Sequence, residues 1–158
     1  MPAKVTAAQI LKKLEALHTD PSIKPPWAFY SEVKNGPSWG QKGSKLYIMD
    51  AVSIKKSWSR PCIEGYEIKV SRSDFLRDKK WHNYQAYCNK FSFVCPPGVI
   101  ELDELPGDVG LIYYSPEHDT LFTKRRAMYR KIDMQSKEVL GMLMYLAMYR
   151  AGARRENR

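Results

Sequence analysis

The run from Gly65 to Leu76 constrains this chain more than any other stretch. Tyr66, Ile68 and Val70 are apolar, favour extended backbone and recur at every second residue, which predicts a strand. The same period places Glu67 and Lys69 side by side on the opposite face. A helix start follows at once. Ser71 can cap its first turn, and Asp74 stands three residues on, in the capping-box position. An acid and a lysine on one face, at the end of a strand, suit chemistry on a phosphodiester. The carboxylate can hold Mg2+ through oxygen. The ammonium can steady developing negative charge or position a water. Taken alone, Glu-x-Lys is also the spacing of a solvated ion pair on an exposed strand face.

The preceding segment, Lys45 to Ile54, reads as a strand with one acid, Asp50. Its period-two companions are Leu46, Ile48, Val52 and Ile54. A carboxylate in such a row is costly to bury unpaired, so a cation partner is expected. Lys55 to Pro61 reads as the turn between two antiparallel strands. Asp50 and Glu67 then fall on neighbouring strands, close enough to share a metal.

On the N-terminal side, Thr6 caps a predicted helix to Leu17, with Ile10, Leu11, Leu14 and Leu17 on its core face. Prolines 21, 25 and 26 break the chain before a first strand from Trp27 to Val33. Glu32 on that strand is either a further site carboxylate or a solvated strand residue. The glycine-rich loop around Trp39, Gln41 and Lys42 can stack on a base or pack against the domain.

On the C-terminal side, Ser73 to about Asn89 reads as helix with a break near Asp78, and Trp81, Tyr84 and Cys88 face the sheet. A strand from Lys90 to Cys95 ends at Pro96-Pro97-Gly98. Gly110 to Tyr114 and Thr120 to Ala127 form a hairpin. Ser136 to about Ala151 is a last helix with a broad apolar surface, either core or a partner face. Residues from about 152 to 158 read as a basic tail.

Charge enters where a partner is in question. Lys and Arg number 26 against 17 Asp and Glu, a formal net charge of +9. That excess suits a polyanion such as DNA, with plain solubility as the alternative. Arg72, Arg77, Lys79 and Lys80 cluster beside the proposed metal site, where they can hold phosphates. Lys124, Arg125 and Arg126, with Arg130 and Lys131, make a second basic patch. The odd count of three cysteines, Cys62, Cys88 and Cys95, suggests reduced thiols in a cytoplasm. Scattered His18, His82 and His118 argue against a structural zinc site. No apolar run is long enough for a signal peptide or a membrane span.

Asp50, then a turn, then Glu67-Ile68-Lys69 resembles the core of the PD-(D/E)xK nuclease superfamily. The longer run from Glu67 through Arg72, Asp74, Phe75, Leu76 and Arg77 to Trp81, then Tyr84, Tyr87-Cys88, Phe91, Pro96-Pro97-Gly98 and Leu105-Pro106-Gly107-Asp108, resembles the MmcB-like DNA repair proteins within it. Met49 stands where the superfamily name has Pro, at a position that supplies no ligand. At 158 residues the chain reads as one domain, residues 1–158, and the resemblance, which covers about residues 45–126, implies an α/β fold with a restriction endonuclease-like mixed sheet flanked by helices on both faces. It implies Asp50, Glu67 and the backbone carbonyl of Ile68 as ligands of Mg2+ or Mn2+. Lys69 would position the attacking water, and Glu32 stands where related nucleases often carry a further acid. The implied activity is metal-dependent hydrolysis of DNA, endonucleolytic rather than exonucleolytic, in repair. Two alternatives stand beside it. One is a catalytically inactive DNA-binding module. The other is an interaction protein assembling through its last helix, with a homodimer among its forms.

Overall fold

A computed structural model describes residues 4–36 and 46–150. The Trp39 loop and the basic tail lie outside the described residues. Helix α1 (Ala7–His18) starts as its sequence dictates. The Thr6 hydroxyl accepts from the Gln9 N–H at 3.3 Å, and the Gln9 side chain accepts from the Thr6 N–H at 2.8 Å. Together these satisfy two N–H groups that the first turn leaves without partners.

Six strands form one sheet in sequence order. β1 (Trp27–Lys34), β2 (Ile48–Lys55) and β3 (Ile63–Ile68) run antiparallel to one another. β3, β4 (Lys90–Cys95) and β5 (Gly110–Ser115) run parallel, and β6 (Thr120–Arg125) returns antiparallel to β5. The crossover from β3 to β4 contains α2 (Arg72–Arg77), α3 (Trp81–Tyr84) and a 3-10 turn at Gln85–Tyr87. Helix α4 (Lys137–Tyr149) closes the described chain. This is the α/β architecture expected, an open mixed sheet with helices on both faces.

The sheet separates two cores. α1 packs Ile10 and Leu14 onto Ala51, Tyr66, Ile68, Val94 and Tyr114. On the other face the crossover and α4 bring Trp81, Tyr84, Val139, Met142 and Leu146 onto Ile63, Phe91, Phe93 and Leu111. Phe93, Val94 and Cys95 of β4 are fully buried, as befits a parallel strand covered on both sides. The crossover can approach because Gly65 lacks a side chain. A Cβ there would meet Cys88 Sγ at 3.0 Å.

Several elements differ from the sequence reading. β2 begins at Ile48, not Lys45, and Leu46 and Ile48 stay exposed, because β2 finds its β1 partner only from Ile48 onward. β3 ends at Ile68, leaving Val70 past its end, although the Lys69 N–H still reaches the Val94 carbonyl at 3.0 Å. The apolar surface of α4 splits, with Val139, Met142 and Leu146 buried and Leu140, Met144 and Ala147 exposed. Cys62, Cys88 and Cys95 are free thiols, and burial pushes Cys88 and Cys95 up to about 12.

The end of α1 supplies one testable consequence. His18 is buried against Trp27 and Phe29, and its Nε2 lies 2.7 Å from the Tyr66 hydroxyl, which donates to Glu64 at 2.6 Å. Burial lowers the pKa of His18, against the pull of Glu64. The unfolded chain therefore binds this proton more readily than the folded one. The contribution is present above the ordinary histidine pKa and is lost as pH falls below it. Urea unfolding should show stability dropping below pH 6.5 with a slope of at most about 1.4 kcal/mol per pH unit. His18→Gln should flatten that slope.

Candidate active site

Asp50 and Glu67 meet because of strand register. Ala51 of β2 pairs with Tyr66 of β3, so the next pair along the ladder is Asp50 and Glu67. Each carboxylate is anchored by the neighbouring strand's backbone. Asp50 Oδ2 accepts from the Ile68 N–H at 2.7 Å, and Glu67 Oε1 accepts from the Asp50 N–H at 3.2 Å. The partner expected for Asp50 was a cation, but its direct partner is a backbone N–H. A strand end leaves such donors unpaired, and they favour the charged carboxylate.

Lys69 lies just beyond β3, with Nζ 3.7 Å from Glu67 Oε2 and 2.7 Å from Asp78 Oδ2. In the sequence Asp78 marks only a helix break, and in the structure it is also the second acid on this lysine. Its position follows from the same break. α2 is six residues long, and its C-cap is Asp78 in an extended conformation, which folds the chain back over the end of β3. Ser71 starts that helix by accepting from the Asp74 N–H at 3.2 Å. The reciprocal half of the capping box is replaced by an ion pair, in which Arg77 Nη2 donates to Asp74 Oδ1 at 2.9 Å. Tyr84 of α3 also lines the cleft and was missed as a site residue, because its helical spacing marks it equally as core.

The cleft has a volume of 660 Å3. Its walls hold four carboxylates, Asp50, Glu67, Asp74 and Asp78, against four cations, Lys69, Arg77, Lys79 and Lys80. Glu67 is 4% exposed. Burial and the neighbouring charge of Asp50 push its pKa up to about 8, and burial raises that of Asp50 as well. Glu67, pushed toward its protonated form by burial and by the charge of Asp50, is the group that a bound cation would relieve. Among the described residues no three His, Cys, Asp or Glu side chains gather at one point. The protein's share is therefore two hard carboxylates, with Ile68 beside them in the wall. That donor set fits Mg2+ or Mn2+, since Mg2+ keeps several waters and takes one or two carboxylates.

Other candidates sit elsewhere. Glu32 lies on β1 at the register position facing Asp50, with a positive φ of 50°, and is exposed outside the cleft wall. Arg72 turns away from the cleft. Its guanidinium forks onto the Glu104 carboxylate and donates to the Val99 carbonyl at 3.0 Å. Arg125 braces the β5–β6 hairpin by donating to the Val109 and Pro106 carbonyls. Lys124 Nζ lies over the Tyr113 ring, and Arg126 borders a separate cavity on the α1 side. Arg77, Lys79 and Lys80 line the cleft itself. Lys79 and Lys80 form no ion pair among the described residues.

A family model described as DNA repair protein MmcB-like matches residues 49–149, from the start of the Asp50 strand to the end of α4. No curated protein matches. A solved structure, a protein of unknown function from Silicibacter pomeroyi, is 18% identical with a TM-score of 0.60. The match covers 93% of this chain and 87% of that one. At that identity the likeness concerns the fold. No described helix is long and apolar enough to cross a membrane.

Proposed function

This chain belongs to the MmcB-like DNA repair protein family, and on that premise we propose that it is a Mg2+- or Mn2+-dependent endonuclease acting on DNA. The observation that carries the reading is the pair of half-buried Asp50 and buried Glu67, side by side on adjacent strands in an open cleft and completed by Lys69. A structural ion pair needs no second buried acid, because the like charge only adds to the cost of burial.

Each side chain then has a task. Asp50 and Glu67 supply the anionic oxygens of the metal site, held in place by the N–H groups of Ile68 and Asp50. The metal, when bound, lowers the pKa of a water and offsets charge at phosphorus. Lys69 acts as a cation at the reacting phosphate, and Asp78 orients it from 2.7 Å. Arg77, Lys79 and Lys80 hold phosphates on either side of the scissile one.

Nicking of supercoiled plasmid tests this. Mg2+ and Mn2+ should support nicking, and Ca2+ should occupy the site with little turnover, because it binds ligands loosely and acidifies water less. Exhaustive EDTA should abolish the activity, and cleavage surviving it would rule the mechanism out. DNA binding with no cleavage in any metal would point instead to a binding module on a nuclease-like fold.

A further inference from the structure

We infer that the β2–β3 turn is a second nucleic-acid contact, separate from the cleft, where Trp58 stacks on an unpaired base and nearby cations hold its flanking phosphates. The inference rests on the DNA reading above and adds what kind of DNA is preferred. Trp58 is fully exposed at the tip of the turn. A single exposed apolar side chain is ordinary on a protein surface, but this indole stands among cations, beside a pocket with two further aromatic rings. Lys55, Lys56 and Arg60 surround it in sequence. The turn has a built shape. The Lys56 N–H donates to the Pro26 carbonyl at 2.9 Å, and the Arg60 N–H donates to the Ser57 hydroxyl at 3.1 Å.

At the foot of the turn lies a pocket of 420 Å3. Trp27 and Tyr129 supply aromatic wall, and Lys55, Arg60 and Lys90 supply charge, with no carboxylate in the lining. Tyr129 is 56% exposed, yet its backbone is fixed on both sides. The Met128 N–H donates to the Asp108 carbonyl at 3.0 Å, and the Arg130 N–H donates to the Asn89 carbonyl at 2.8 Å. Glu64 reaches Lys90 from outside the pocket, at 3.8 Å. Exposed aromatic faces interleaved with cations are the pattern of single-strand binding, because every base has a π-face and every phosphate a charge. An anionic membrane surface also attracts tryptophan and lysine. A flat surface would leave the pocket and its two further rings unused, whereas a base with its sugar fits a concavity of this size.

The turn lies at the opposite end of β2 from Asp50. The five residue steps from Asp50 to Lys55 span about 17 Å, roughly five nucleotide steps. The contact therefore reads DNA structure at a distance from the reacting phosphate.

Fluorescence anisotropy in EDTA, where no cleavage occurs, tests the inference with three labelled DNAs. These are a fully paired duplex, the same duplex with a short gap, and a single strand. Wild type should prefer the gapped and single-stranded forms. Trp58→Ala should weaken binding to those two by about five- to a hundredfold, and Trp58→Phe should keep most of the affinity. Paired duplex should change less than twofold. Lys55→Ala with Arg60→Ala should flatten the single-strand slope of log K against log salt by about 1.4. Unchanged binding of all three DNAs by Trp58→Ala would overturn the inference. So would Trp58-dependent sedimentation with phosphatidylserine vesicles in a variant whose DNA affinity is unaltered. Loss of the nuclease reading would show separately, as absent nicking with the Trp58 effect intact. Absence of wild-type binding to all three DNAs in EDTA would overturn the inference and leave the nuclease reading to the nicking assay.

Discussion

Glu67→Ala should lower metal-dependent cleavage by at least about a hundredfold while leaving a folded protein. That magnitude is typical of removing one electrostatic contributor from a reacting site. The residue is 4% exposed and its side chain touches Asp50 and Lys69, so its loss strips the metal of one of two protein carboxylates. Asp50→Asn should act alike, because it keeps the shape and removes the charge. Lys69→Ala should also abolish cleavage, through the phosphate rather than through metal affinity. Stability in metal-free buffer, measured on Glu67→Gln, Asp50→Asn and Lys69→Ala, separates the acids from the lysine. Glu67→Gln and Asp50→Asn remove like-charge repulsion from a buried site, so thermal unfolding should shift upward or stay level. Lys69→Ala leaves Glu67 and Asp78 facing each other without a cation, so it should shift downward. Wild-type cleavage by Glu67→Ala would defeat the assignment. A fall in stability for all three would mark the cluster as a structural ion-pair network.

Replacing Arg77, Lys79 and Lys80 together with Ala should weaken DNA binding by about a hundredfold near physiological salt. All three line the cleft, and Arg77 is tethered by an exposed pair with Asp74 and by its Nε donating to the Ser73 carbonyl at 3.3 Å. Each phosphate they neutralise releases counterions, so the slope of log K against log salt should flatten by up to roughly three units. Anisotropy titrations in Ca2+ at several salt concentrations measure it. Single-turnover cleavage at saturating DNA should change far less, because Asp50, Glu67 and Lys69 remain. Arg72→Ala makes the contrast. Its guanidinium is committed to Glu104, whose pKa it holds down at about 2, so the salt slope should stay put. Identical slopes for the triple variant and wild type would remove the phosphate contacts and leave the metal site standing.

Local pattern carried much of the fold. β4 runs from Lys90 to Cys95, as its apolar run and the following prolines indicate, and Thr6 caps α1 through the reciprocal bonds its spacing allows. These features depend on neighbours within four residues. Strand ends were less legible, because an end is set by the partner strand. Leu46 looks like a strand residue, but β1 does not reach it.

The site divides the same way. Residue order alone put Asp50 and Glu67 on adjacent strands and Lys69 beside Glu67, because a strand's side chains alternate and a short turn joins antiparallel neighbours. Tertiary structure decided which polar groups face which. It gave Asp50 a backbone donor instead of a cation, brought Asp78 onto Lys69 across α2, and turned Arg72 toward Glu104 while leaving Arg77, Lys79 and Lys80 on the cleft. Long side chains at a helix start can point several ways at nearly equal local energy. For Arg72 the choice is made by the segment after β4, where the Val99 carbonyl and the Glu104 carboxylate, 27 and 32 residues further along the chain, accept from its guanidinium.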